Sequence, residues 1–126
     1  MGKLIVVVDD SRTVRASLEY TLSKAGYTVQ SADDGKTGLQ LLENLVPRGM
    51  RPSMIIADIN MPIMDGITFI KEMRKRAELR FVPVLVLTTE SQQQKKLEGK
   101  QAGASGWLVK PFNQEQLIGI IQKFVK

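Results

Sequence analysis

Leu4-Ile5-Val6-Val7-Val8 runs without a polar break into Asp9-Asp10-Ser11. An unbroken β-branched run is the mark of a strand covered on both faces, because a half-exposed strand would alternate apolar and polar residues. The pattern recurs three times. Met54-Ile55-Ile56-Ala57 runs into Asp58, Val82-Pro83-Val84-Leu85-Val86-Leu87 into Thr88-Thr89, and Gly106-Trp107-Leu108-Val109 into Lys110-Pro111. Amphipathic segments separate these runs, which argues an α/β fold around a parallel sheet.

The spacing predicts strands near 4–8, 28–31, 53–57, 82–87 and 106–109. The second rests mainly on Tyr27-Thr28-Val29 after the Gly26 helix stop. Helices are expected near 12–25 (Val14, Leu18, Leu22), 35–46 (Leu39, Leu42, Val46) and 66–76 (Ile67, Ile70, Met73). A fourth near 91–102 has little to bury beyond Leu97 and Ala102. A fifth near 114–125 carries Leu117, Ile120, Ile121 and Phe124, with Asn113 and Gln116 as a variant capping box. Pro47 to Pro52 is a connecting loop. Five βα units wound right-handedly give a doubly wound, three-layer sandwich. In such sheets the working site lies beyond the carboxyl ends of the strands, where every polar cluster quoted above falls.

Three carboxylates, a hydroxyl and an ammonium thus converge. Asp9, Asp10 and Asp58 would repel one another unless protonated or bridged by a cation. Oxygen ligands without His or Cys suit Mg²⁺, with Mn²⁺ as the alternative to it, rather than Zn²⁺. Asp58 is the candidate nucleophile toward phosphorus, since the Ile59-Asn60-Met61-Pro62 loop can wrap the site. Mg²⁺, Lys110 and Thr88 would each take one oxygen of a transferred phosphoryl group. Taken singly, these residues have plainer readings. Asp10 or Ser11 could cap the first helix, Thr88 or Ser91 the fourth, and Lys110 could be a surface lysine. Trp107 reads equally as an edge-strand aromatic or a functional one. An Asp directly after Met-Ile-Ile-Ala is harder to dismiss, because burying it unpaired is costly.

The 126 residues are expected to form one domain, 1–126, with 43% hydrophobic and 25% charged residues as in an ordinary soluble protein. No apolar run approaches a membrane span, and the N-terminus is too short in apolar residues for a signal peptide. Without Cys or His, thiol redox chemistry, His general bases and His phospho-carriers are excluded. A phosphoryl group carried on His must come from another molecule. The net charge of +5 raises nucleic acid as a partner. The densest basic stretch, Lys71, Arg74, Lys75, Arg76 and Arg80, reads instead as a solvated helix end near the negative pole of its dipole. No reading helix or nearby aromatics accompany it.

Four motifs carry a family resemblance that covers essentially the whole chain: Val8-Asp9-Asp10-Ser11; Asp58-Ile59-Asn60-Met61-Pro62 with Met64-Asp65-Gly66; Leu87-Thr88-Thr89; and Lys110-Pro111-Phe112. At these residues the chain resembles receiver domains of two-component signalling, most of all the CheY-like chemotaxis regulators. The resemblance implies strand order 2-1-3-4-5. It implies phosphorylation of Asp58 by a histidine kinase, and Mg²⁺ held by Asp10 directly, by Asp9 through water, and by the Asn60 carbonyl. Thr88 would follow the phosphoryl group and Lys110 would pair with it. The Lys110-Pro111 bond would be cis. Trp107 would be an aromatic switch behind an output face made of helix 4, strand 5 and helix 5. Trp107 replaces the more usual Tyr, Phe or His, and Thr89 stands where Ala, Gly or Ser is common. Asn60 and Glu90 flank the site as in regulators that lose phosphate quickly.

The expected protein is therefore a cytoplasmic signalling module, monomeric when unphosphorylated, and an enzyme only toward its own phosphoryl group. With no segment after Lys126 to bind DNA, its output is expected through protein contact. A stand-alone chemotaxis regulator is the favoured form, and a receiver cut from a transcription regulator is the alternative. An Asp-nucleophile phosphatase would need Asp-x-Asp where the chain has Asp9-Asp10-Ser11. A flavin module would place a phosphate against the Asp9-Asp10 pair.

Overall fold

A computed structural model describes residues 2–125. Its elements run β1 (Leu4–Val8), α1 (Arg12–Lys24), β2 (Thr28–Ala32), α2 (Gly35–Leu45), β3 (Met54–Ala57), α3 (Gly66–Met73), β4 (Val84–Thr88), α4 (Gln93–Ala102), β5 (Gly106–Val109) and α5 (Gln114–Phe124). Short 3₁₀ turns at Val46–Arg48 and Ala77–Leu79 lead toward β3 and β4. The five strands are parallel in the order β2-β1-β3-β4-β5, as the resemblance implied.

Side-chain alternation sorts the central strands into two cores. Val6, Val8, Ile55, Ala57, Val84 and Val86 face α2 and α3. Ile5, Val7, Met54, Ile56, Leu85 and Leu87 face Leu18 and Leu22 of α1 and Leu117 and Ile121 of α5. Every residue of β3 and β4 is buried, which accounts for their lack of polar alternation.

Local chemistry sets the helix starts. Ser11, Asp34, Asp65 and Asn113 each accept a backbone N–H from three residues on. Ser11 rather than Asp10 therefore caps α1, and Asn113 caps α5 as expected. Neither Thr88 nor Ser91 caps α4: Gln92 holds that position without a side-chain bond.

Several boundaries differ from the expected ones. α3 ends at Met73 rather than 76, because the next N–H groups bond three residues back: Lys75 to Glu72 and Arg76 to Met73. β4 begins at Val84, since Pro83 has no N–H for the ladder. Leu97 of α4 is half exposed rather than inward, so that helix buries only Gly99 and Ala102. Phe124 also lies largely outside the core.

The basic stretch is only partly a solvated helix end. Arg74 turns back, and its guanidinium donates to the carbonyls of Leu79 (2.7 Å), Arg80 (3.0 Å) and Gly103 (2.7 Å). It ties the end of α3 to the turn that closes α4.

Candidate functional site

Strand register alone brings the polar clusters together. Val8 pairs with Ala57, so Asp9 and Asp58 leave neighbouring strands side by side, and the Asp58 N–H donates to the Val8 carbonyl. Thr88 pairs with Val109, so Lys110 follows immediately beside it, and its N–H donates to the Thr88 carbonyl at 2.8 Å.

The Lys110 ammonium lies between two carboxylates. It donates to Asp9 Oδ2 at 2.9 Å and to Asp58 Oδ2 at 3.1 Å. Backbone donors hold the other oxygens. Asp9 Oδ1 accepts the Ser11 N–H at 2.9 Å, and Asp58 Oδ1 accepts those of Ile59 at 2.6 Å and Asn60 at 3.3 Å. Asp10 is exposed, and carboxylate oxygens of Asp9, Asp10 and Asp58 lie within 4.8 Å of one another.

Burial pushes the Asp9 carboxyl above its ordinary range, against the Lys110 and Ser11 bonds that pull it down. Burial also works against the Lys110 ammonium, yet its bonds to Asp9 and Asp58 prevail and hold it protonated above its usual range. The cluster is thus short of positive charge: one ammonium bonds Asp9 and Asp58, and the third carboxylate, Asp10, receives no bond from it. An all-oxygen acidic pocket with one open side fits a hard divalent cation.

Thr88 is fully buried, and its hydroxyl accepts the Glu90 N–H at 3.2 Å. The Glu90 carbonyl in turn accepts the Trp107 indole N–H at 3.0 Å. Two hydrogen bonds therefore connect the end of β4 to the indole on β5. Among the described residues, no backbone N–H bonds the Asn60 carbonyl. The Lys110-Pro111 bond is cis, as the resemblance implied.

Three parts of this site have roles that sequence reading did not assign. Gly66, quoted in the Met64-Asp65-Gly66 motif without a role, is one: a Cβ there would stand 2.0 Å from the Asp58 carbonyl oxygen. Gly99 is the second: a Cβ there would meet Cζ3 of the Trp107 ring at 2.8 Å, so α4 opens a slot for the indole. A glycine in mid-helix, where alanine is favoured by about 1 kcal/mol, was the available signal. Third, the chain turns at Ile63 with φ 71°, and the Met64 N–H donates to the Pro62 carbonyl at 2.7 Å. This is the rare positive-φ γ-turn, held on a β-branched residue.

Gly99→Ala should gain helix propensity yet displace the indole, losing the bond to Glu90, worth about 1 kcal/mol. The only Trp of the chain reports it. Emission should move to the red and acrylamide quenching should rise. An unchanged spectrum would show that the slot tolerates the methyl group.

Residues 5–122 match the response regulator receiver domain family. Among curated proteins the chain is 36% identical to the response regulator MprA of Mycobacterium sp. (strain KMS), over 97% of this chain and 50% of that protein. It is 31% identical to the sensor histidine kinase CheAY of Helicobacter pylori, over 98% of this chain and 15% of that one. The chain thus spans about half the length of the first of these relatives and far less of the second. Among solved structures, the chemotaxis protein CheY4 of Vibrio cholerae superposes with a TM-score of 0.90 at 42% identity, covering 98% of this chain and 99% of that one. The receiver domain of the sensor histidine kinase PA1611 of Pseudomonas aeruginosa PAO1 gives 0.88 at 29%, covering 99% and 98%, and that structure holds a magnesium ion in its active-site cleft. Fold, motif residues and matches agree: the chain belongs to the response regulator receiver domain family.

Proposed function

We propose that this receiver accepts a phosphoryl group on Asp58 from a histidine kinase and reads it out at the face formed by α4, β5 and α5. The observation that carries the proposal is the Lys110 ammonium held jointly by Asp9 and Asp58, beside Asp10, at the carboxyl end of a parallel sheet.

In the transfer, an Asp58 carboxylate oxygen forms a bond to phosphorus while the phosphorus–nitrogen bond to the donor imidazole breaks. The nitrogen keeps the electron pair. Ile59 and Asn60 N–H groups fix the carboxylate before attack, so little reorganisation is required. Lys110 is placed to follow the negative charge from the carboxylate to a phosphoryl oxygen. Bound Mg²⁺, held by Asp9, Asp10, Asp58 and the Asn60 carbonyl, would neutralise charge on the transferring group. Hydrolysis of the acyl phosphate by water resets the receiver; beyond this it turns over no substrate.

The Thr88–Glu90–Trp107 chain supports the route to the output face. A phosphoryl oxygen that draws the Thr88 hydroxyl away removes the acceptor of the Glu90 N–H, and so alters the loop whose carbonyl holds the indole. α4 is suited to respond, because it buries only two small residues and lacks a side-chain N-cap. Phosphorylation then shifts a two-state equilibrium toward a partner-binding form.

A stand-alone chemotaxis-type regulator is favoured by the match to nearly the whole of CheY4 at 42% identity. The match to half of MprA supports the second reading, a receiver within a longer regulator. For either form we propose a monomer before phosphorylation, working in the cytoplasm. No described helix is long and apolar enough to cross a membrane.

Incubation with Mg²⁺ and acetyl phosphate, followed by intact mass measurement, tests the chemistry. A gain of one phosphoryl group is expected, lost in EDTA and lost in Asp58→Asn. A gain that survives Asp58→Asn would place the acceptor elsewhere.

A further inference from the structure

The net charge of +5 is not spread evenly over the molecule. Asp9, Asp10, Asp34, Asp58 and Asp65 gather at the carboxyl ends of the strands. The opposite pole is basic. Lys3, Arg51 and Arg80 stand just before β1, β3 and β4, while Lys24, Lys100 and Lys123 occupy the last turns of α1, α4 and α5. Helix dipoles account for the second group, since cations are favourable at helix C-termini. They do not account for the first, which lies on strand entries.

At this pole lies a groove of about 370 Å³. Pro52, Val82, Pro83 and Val125 are among the apolar residues lining it, and Lys3 and Arg51 bring charge to its edge. Two aromatic residues on it face water: Phe81 is 89% exposed and Phe124 is 39% exposed. Arg80 and Lys123 adjoin these rings in sequence. Among the described residues, Lys3, Arg51, Arg80 and Lys123 take part in no ion pair. Unpaired cations around exposed aromatic rings form a surface complementary to an acidic segment bearing a bulky apolar side chain.

We propose that this groove, at the pole away from Asp58, docks an acidic peptide segment of another protein, with one aromatic or aliphatic side chain seated between Phe81 and Phe124 and carboxylates on Lys3 and Arg51. A nucleic-acid strand is the poorer occupant. Its backbone wants a continuous basic track, whereas this groove has only Lys3 and Arg51 as lining cations and carries Glu78 beside them. The docking is independent of phosphoryl transfer. It would tether the receiver to a partner while leaving the acidic pole free to meet a phosphodonor, and so raise the effective concentration of that encounter.

Selection of a random short-peptide library against the full chain, read out by fluorescence anisotropy of the enriched peptides, tests this. Enriched sequences should set Asp or Glu beside one bulky apolar residue. Their affinity should fall about tenfold or more in Phe81→Ser and in Arg51→Glu. It should also fall steeply with added salt, and stay unchanged in Asp58→Asn. Both altered side chains are exposed, so thermal melting should show the fold intact. Peptides indifferent to Phe81→Ser, or no enriched acidic pattern at all, overturn the proposal. So does an oligothymidylate probe that binds more tightly than the peptides and is released by Arg51→Glu.

Discussion

Gly66→Ala is expected to destabilise the receiver by about 3 kcal/mol or more, at the upper end of overpacking effects. The new methyl group would sit 2.0 Å from the Asp58 carbonyl oxygen and 2.9 Å from both the Asp58 carbonyl carbon and Ile59 Cα. All three atoms are backbone, so no side chain can rotate away. Relief requires moving either Asp58, whose N–H is bound to Val8, or the first turn of α3. That turn carries buried Ile67 and Phe69. The Gly66 N–H also donates to the Ile59 carbonyl at 2.8 Å, a bond the displacement would break. Against a typical total of roughly 5–15 kcal/mol, the loss is large. Urea unfolding should show the midpoint fall with its slope retained, and phosphoryl uptake from acetyl phosphate should be lost in the fraction still folded. Gly119→Ala in α5 is the control, since a Cβ there meets nothing within 4 Å, and it should hold or raise stability. Equal midpoints for the two variants would contradict the close approach.

Those contrasting glycines mark where the sequence is and is not legible. β1, β3 and β4 could be read because burial on both faces leaves an unbroken apolar run, and the polar residue ending each run could be read because the run stops there. Position along a strand translates directly into position in a parallel sheet, which is why Asp9, Asp58 and Lys110 were identifiable as neighbours. α4 was harder, because it packs through Gly99 and Ala102, small residues that leave no hydrophobic period, while Leu97 supplies a misleading one. Arg74 looked like one more charge on a helix end. Its acceptor at Gly103 is 29 residues away, a tertiary fact with no local signal. The mid-helix Gly99 hints at a close approach, but that its neighbour is Trp107 is visible only once the fold brings the two together. The same limit hid the groove beneath Phe81: an isolated aromatic in a loop does not show which cations the fold will bring to it.

Lys110→Met should cost about 2–3 kcal/mol in EDTA and much less in Mg²⁺. Methionine keeps most of the lysine stem and removes the ammonium. Asp58 and Asp9 side chains are only 9% and 2% exposed, and both depend on that ammonium for their Oδ2 contact. Breaking a buried pair by deleting one partner costs about 3–5 kcal/mol, because the remaining charge is left uncompensated. The Lys110 side chain is itself 14% exposed and Asp10 faces water, so solvent relieves part of the loss. The variant then holds three carboxylates within 4.8 Å with no cation among them. Divalent metal should bind this site more tightly than it binds the parent, where the ammonium already offsets part of the charge. Binding to the folded state alone stabilises it in proportion to ln(1 + [L]/Kd), so saturating Mg²⁺ should narrow the gap between variant and parent. Urea unfolding of both proteins in EDTA and in Mg²⁺ makes the comparison. Pairing Lys110→Met with Asp9→Asn sharpens it: removing one carboxylate should return part of the stability, a coupling visible as non-additivity in the double-mutant cycle. A gap of equal size with and without metal, together with additive losses, would mean that Lys110 serves packing alone and that the acidic cluster is not a cation site.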